Sequence, residues 1–294
     1  AEFDCLVFAL VRRGDIETGF REAAAVVEGR FITPRVEHAY IEPEVALAAV
    51  DAQGEVSVWS STQYAHLDRE EVARMLGLPQ SRVRVRQMVT GGGFGGKLNP
   101  HAQCYAALVA WKTGRPAKVH YHRDESLIAS YKAHPYVIDM KLGATAEGKL
   151  TAIDARLVGN TGAYLFQGRA VITKSGTHIS GIYYIPNIKT DAYAVYTNTV
   201  PCGAMRGYGV PQVTFALEAL IDELAGKLGL DPLELRMRNA LDTTLPNATG
   251  QIMPASIPVK EMLTRAKASV ESMRPLLKEA PPGRKRGIGV GYPA

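Results

Sequence analysis

Apolar and polar residues alternate along Arg82-Val83-Arg84-Val85-Arg86-Gln87-Met88-Val89, the two-residue period of a half-buried strand. The run Val45 to Val50 closes on Asp51-Ala52-Gln53-Gly54, and Glu55 to Trp59 returns from that turn, which predicts a hairpin. Tyr136 to Leu142 and Leu150 to Gly159 predict a second hairpin about the turn Thr145 to Gly148, and Arg115 to Tyr121 is strand-like. Helical spacing governs other stretches. Leu67 to Leu76 carries acids in its first turn and stops at Gly77, while Val213 to Leu228 has the clearest amphipathic pattern and stops at Gly229. Asp231-Pro232 opens a further short helix with proline at its first position. Gly19 to Val27, His101 to Trp111 and Met262 to Leu277 complete the predicted helices. Ala280-Pro281-Pro282-Gly283 reads as a linker, after which Gly287 to Gly291 begins a new strand.

A strand–turn–strand–helix pattern thus occurs twice, before and after about residue 125. It predicts an α+β fold of two related subdomains mixing sheet and helix, 1–125 and 126–294. With 46% hydrophobic and 21% charged residues, the composition is that of an ordinary globular protein. The net charge of +5 is spread among 29 acids, and the longest basic cluster, Arg284-Lys285-Arg286, reads as solvated linker, so no nucleic-acid partner is expected. The three cysteines fit no zinc or iron–sulfur spacing and no even disulfide framework, which points to a reducing cytoplasm. No apolar run reaches the length of a membrane span, and Ala1-Glu2-Phe3-Asp4 lacks the basic start of a signal peptide.

The chemistry begins at Gly91-Gly92-Gly93-Phe94-Gly95-Gly96-Lys97, where a strand ends and the chain reverses. Five glycines around one aromatic let the backbone approach a ligand closely and turn amide N–H groups inward. The segment fits the dinucleotide fingerprint at Gly91, Gly93 and Gly96, the first half of a phosphate-binding P-loop, or a plain glycine-rich turn. Leu98 stands where a P-loop needs a hydroxyl for magnesium, and Asn99-Pro100 separates the glycines from the following helix. Ser60-Ser61-Thr62-Gln63 lies at a strand end, where α/β proteins place ligand contacts, and Gln63 offers both donors and an acceptor. In Cys202-Gly203-Ala204-Met205-Arg206-Gly207-Tyr208-Gly209-Val210-Pro211-Gln212, glycines frame an arginine suited to an oxyanion and a tyrosine with a stacking face. Glu42, extended by Pro43, is a candidate base or a solvated turn acid. His38, His66, His101, His120, His122, His134 and His178 show no i, i+4 metal pair.

The ordered set Glu42-Pro43, Ser61-Thr62-Gln63, Gly91 to Leu98, His122-Arg123-Asp124-Glu125, Ile185-Pro186-Asn187 and Ala204 to Gln212 resembles the molybdenum hydroxylase family of xanthine dehydrogenase, aldehyde oxidoreductase and nicotinate dehydrogenase. The resemblance runs from about Gly14 to Gly291, and the Gln63 and glycine motifs are most similar to nicotinate dehydrogenase. It implies the first half of a molybdopterin-binding domain, with the metal held by the pterin, as a cytosine dinucleotide, rather than by side chains. It implies that Gln63 bonds an oxo ligand of the metal, that Gly92, Gly93, Phe94 and Gly95 lie along the cofactor, and that Ala204, Met205 and Arg206 support its other side, with Gln63 and Arg206 in catalytic roles. Phe94 and Tyr208 would sandwich a planar substrate. The implied reaction is hydroxylation of an electron-poor carbon with oxygen from water, on a nicotinate- or purine-like N-heteroaromatic or, alternatively, an aldehyde.

The resemblance also implies partners: a polypeptide carrying the second half of the domain with a glutamate base, a [2Fe-2S] subunit and an FAD subunit. A glutamate that those xanthine dehydrogenases carry after the loop lysine is Leu98 here, and a second substrate-orienting arginine falls near Lys174. Xanthine itself therefore fits less well than a nicotinate-like ring. A P-loop or Rossmann nucleotide binder and a non-catalytic scaffold subunit are the competing readings.

Overall fold

Asp15 accepts hydrogen bonds from the Glu17 and Thr18 amides, at 3.0 and 3.2 Å, and so caps the first helix. In the computed structural model, which describes residues 5–253, 255–281 and 283–291, that cap sets α1 (Ile16–Arg21) between β1 (Cys5–Arg13) and β2 (Ala25–Thr33). The helix expected over Gly19 to Val27 is thereby corrected. Its last three residues begin β2, because pairing with the later strand Tyr136–Ala144 buries Ala25 and Val27 and suits the β-branched Val26-Val27 pair. The reading of Ala1 to Asp4 and the Pro282 position of the linker lie outside the described residues.

The next segment builds a four-stranded sheet. β3 (Val45–Val50) and β4 (Val56–Ser60) form the expected hairpin, α2 (Ala65–Leu76) crosses over, and β5 (Val83–Gln87) returns parallel to β4. α3 (Ala102–Thr113) and β6 (Ala117–His120) complete the order β5-β4-β3-β6. Val56, Val58, Val72, Ala106 and Ala110 fill the space between this sheet and its two helices. The adjacent parallel strands β4 and β5 end side by side, with the Met88 amide bonded to Ser60 O at 2.9 Å. The Ser61-Thr62-Gln63 segment and the glycine segment both start from those ends, the usual ligand edge of a parallel pair.

α4 (Arg123–Ala129) leads into the second predicted hairpin, β7 (Tyr136–Ala144) and β8 (Leu150–Gly162). α5 (Gly168–Thr177) then carries the chain to β9 (Asn187–Tyr196), parallel to β8. β1 pairs with β9 and β2 with β7, giving the order β1-β9-β8-β7-β2. A division of the chain at residue 125 does not coincide with the sheets, because Val11, Ala25 and Val27 from the first strands share one core with Ile138, Ile153 and Leu157. α6 (Val210–Leu228) packs Val213, Leu217, Leu220 and Leu224 into that core and stops at Gly229, φ 67°. α7 (Pro232–Asn239) is tied to α6 by Arg236, which bonds Glu218 and Asp222 at 2.7 Å. α8 (Val259–Met273) passes into a 3₁₀ turn at Arg274, one residue before Pro275, which has no N–H to continue the helix. The strand expected from Gly287 does not form among the described residues, where Ile288 to Val290 find no ladder partner and line a cavity of about 280 Å³ with Leu233 and Val270.

Leu157 is fully buried in the larger core. Leu157→Ala should lower stability by about 2–5 kcal/mol, read as a reduced urea midpoint at constant slope.

Candidate functional site

One carboxylate oxygen closes the glycine segment. Glu42 Oε2 accepts from the Gly91 amide and from Lys97 Nζ, each at 2.7 Å, so both ends of the loop converge on it. Lys97 is only 2% exposed. Its ammonium also donates to Ser61 Oγ at 3.1 Å and lies 4.8 Å above the Tyr40 ring. Burial disfavours the charge on Glu42, but the Lys97 ammonium and the Gly91 amide outweigh it and hold the carboxyl below its ordinary range. Two expectations are settled by this geometry. Glu42 is a clasp and not a free base, and Lys97 points into the protein, away from any phosphate that a P-loop would bind.

The same lysine orients Gln63 through its backbone. Gln63 Oε1 accepts from the Gly95 and Lys97 amides at 3.0 and 3.2 Å, and the Gln63 amide donates to Lys97 O at 2.9 Å. With its oxygen occupied, the exposed Gln63 side chain presents its NH₂ end outward. A Cβ on Gly93 would lie 2.4 Å from Gln63 Oε1, so a side chain there would displace the Gln63 carboxamide. Gly93 to Gly96 is a tight turn, with Phe94 at φ 51° and Gly95 at φ 102°. That turn leaves the Phe94 ring half exposed.

The opposite wall is the segment before α6. A Cβ on Gly95 would lie 2.6 Å from Ala204 O and 3.2 Å from Met205 Cα, so the two loops meet backbone to backbone. His38 Nε2 donates to Ala204 O at 2.7 Å, and burial keeps this imidazole neutral by lowering its pKa. Lys132, buried against Glu37 at 2.5 Å, accepts the Gly203 amide on its carbonyl at 2.9 Å. Arg206 is exposed beside an apolar groove of about 260 Å³ lined by Val36, Met205 and Pro211. Tyr208, at φ 57°, donates its hydroxyl to Gln167 Oε1. Gln63, Gly93, Gly95, Ala204 and Met205 are thus brought together, whereas Phe94 and Tyr208 stand on facing loops without ring contact. His38, Lys132 and Gln167 were not singled out, since a lone histidine, lysine or glutamine carries no local signal for a contact made far along the chain.

Next to Thr62 lies a buried acid. Asp68 is fully buried in the first turn of α2, and Gln103 Nε2 donates to it at 3.1 Å. Burial pushes its carboxyl up to about 6, against hydrogen bonds from Thr62 and Gln103 that favour the charge.

Residues 4–240 match the molybdopterin cofactor-binding domain. The chain belongs to that family. The large molybdopterin subunit of nicotinate dehydrogenase from Eubacterium barkeri is 43% identical over 254 residues, which is 86% of this chain and 60% of that subunit. The aldehyde oxidoreductase structure from Desulfovibrio gigas superposes with a TM-score of 0.92 at 31% identity, over 95% of this chain and 31% of that one. Quinoline 2-oxidoreductase from Pseudomonas putida 86 superposes with a TM-score of 0.85 at 28% identity, over 95% of this chain and 36% of that one. The chain therefore spans about a third to three-fifths of the length of these relatives. The family expectation and the mixed α/β fold are both borne out. Among the described residues no cluster of His, Cys, Asp or Glu is arranged to hold a metal, and no helix is long and apolar enough to cross a membrane.

Within this molybdopterin cofactor-binding domain, Lys97→Met should cost about 2 kcal/mol, between the values for buried and surface pairs, because Glu42 keeps a charge without its cation. Lys97→Met with Glu42→Gln should recover part of that loss, seen as a non-zero coupling in a double-mutant cycle. Asp68 gives an opposite pH signature to Glu42. Its raised pKa contributes stability present below pH 3.8 and lost as pH rises through about 6. Relative to Asp68→Asn, the wild type should lose stability between pH 4 and 6 and level off above, as urea unfolding at a series of pH values will measure.

Proposed function

We propose that the chain forms the molybdopterin-binding part of a hydroxylase acting on an N-heteroaromatic, nicotinate- or purine-like substrate. The cofactor would be the cytosine dinucleotide form, with [2Fe-2S] and FAD on partner chains and a glutamate base on further polypeptide. One observation carries the reading: the outward NH₂ of Gln63 stands at the seam where Gly93 and Gly95 exclude any side chain. The residues fit such a group, since flat glycine backbone and a fixed hydrogen-bond donor suit a planar pterin and an electron-rich metal centre. When bound, that cofactor supplies two-electron oxidation with oxygen drawn from water. Gln63 would donate to the metal centre through Nε2, Gly92 to Gly95 would run along the cofactor, and Ala204 to Arg206 would support its far side. Phe94 and Tyr208 would give the ring its flat walls.

Three glutamates near the seam are already engaged. Glu42 is bound to Lys97, Glu37 to Lys132, and Glu44 to the Tyr40 hydroxyl. The base is placed on further polypeptide, as the family resemblance implies. An aldehyde substrate is the second reading, supported by the fold match to aldehyde oxidoreductase.

The test is turnover of the purified native complex in H₂¹⁸O with nicotinate, hypoxanthine and benzaldehyde, alongside molybdenum, iron and flavin analysis. Label in a hydroxylated heterocycle supports the proposal, and label only in carboxylic acid favours the aldehyde reading. Gln63→Glu replaces the outward donor by an acceptor and should lower turnover about 10²- to 10³-fold at unchanged molybdenum content. Turnover within threefold of wild type would instead favour a non-catalytic scaffold.

A further inference from the structure

The contact between Tyr208 and Gln167 joins the candidate substrate wall to the start of α5. Tyr208 leaves the loop whose Ala204–Met205 backbone packs on Gly95, three residues after Met205. Its hydroxyl is committed as donor to Gln167 Oε1 and has no proton left for a ligand. The acceptor end of Gln167 is thereby occupied, and its Nε2 keeps two N–H groups with no partner among the described residues. Gln167 is only partly buried, so that donor end is open to a ligand.

The backbone holds the pair in place at a cost. Tyr208 has φ 57° and Phe166, next to Gln167, has φ 30°. Bulky L-residues avoid that region, and they persist in it where surrounding structure fixes them, most often at ligand sites. Phe166 is fixed by its ring packing on Tyr131, 5.6 Å between centroids. Gln167 also occupies the N-cap of the ten-residue helix α5. The Arg169 and Ala170 amides of the first turn have no intrahelical acceptor, and this end of the helix favours negative charge.

We propose that Gln167 is a specificity-determining residue that donates a hydrogen bond to a carboxylate or carbonyl substituent on the substrate ring, with Tyr208 fixing the amide for that task. The proposal rests on the substrate wall assigned to Tyr208 above. It narrows the substrate class to planar molecules bearing an acceptor group on the edge away from the reacting carbon.

The experiment compares paired substrates in the native complex: nicotinate against pyridine, and 3-carboxybenzaldehyde against benzaldehyde. Gln167→Leu should lower kcat/KM about 10- to 100-fold more for the carboxylated member of a pair than for its partner, chiefly through KM. Gln167→Glu keeps the size of the side chain but sets a negative charge against the carboxylate, and should discriminate at least as strongly. Tyr208→Phe frees the amide to rotate and should give a smaller shift of the same sign. Equal losses on both members of the pair that the enzyme turns over would overturn the proposal. If only aldehydes react, the heteroaromatic reading fails, and the aldehyde pair still decides the role of Gln167.

Discussion

A single oxygen atom, Glu42 Oε2, holds the first and last residues of the glycine loop. A loop so rich in glycine is entropically expensive to order, at about 1–2 kcal/mol per backbone residue. Side-chain packing cannot meet that cost, because the loop has almost no side chains. A buried ion pair is ordinarily a weak source of stability, since desolvation cancels much of its attraction. Here its value is geometric. The pair converts a segment free to take many shapes into one whose amides point at a defined place, and the direction of the Gln63 carboxamide follows from it.

The site lies between two sheets that contribute in different ways. The four-stranded sheet offers the ends of β4 and β5, from which Gln63 and the glycines emerge as neighbours. The five-stranded sheet offers the segment between β9 and α6, pressed so close that Gly95 and Ala204 leave no room for a Cβ. His38 and Lys132 stitch that segment to the chain between the sheets. Each wall is backbone, and the side chains behind it act by holding backbone still. Substitution behind the walls is therefore expected to act through orientation.

Much of this was legible in the residues alone. Alternation and turn chemistry located the hairpins β3–β4 and β7–β8, and glycine stops bounded α2 and α6. The start of β2 was not legible, because Gly19 to Val27 has a helix-like pattern locally and its end, from Ala25, becomes a strand only through a partner more than a hundred residues away. Nor was the clasp. Lysine and glutamate are read as solvated unless a tertiary neighbour is known, so Lys97 passed as a loop end and Glu42 as a turn acid. The motif residues were found because they bear unusual backbone freedom or clustered chemistry. The residues that restrain them were missed because restraint is a property of contact and not of composition.

The pairing of β1 with β9 also bears on biosynthesis. Arg13 and Ile188, partners in that ladder, are about 175 residues apart. At a synthesis rate of about 5–20 residues per second, an emerging β1 waits roughly 10–30 s for the strand that covers its edge. During that interval β1 lacks its pairing partner, whereas β2 waits only for β7, and the four-stranded sheet, complete by His120, can already fold. β1 is therefore covered only after strands that follow it along the chain, so its edge is where this domain depends most on being kept from premature association.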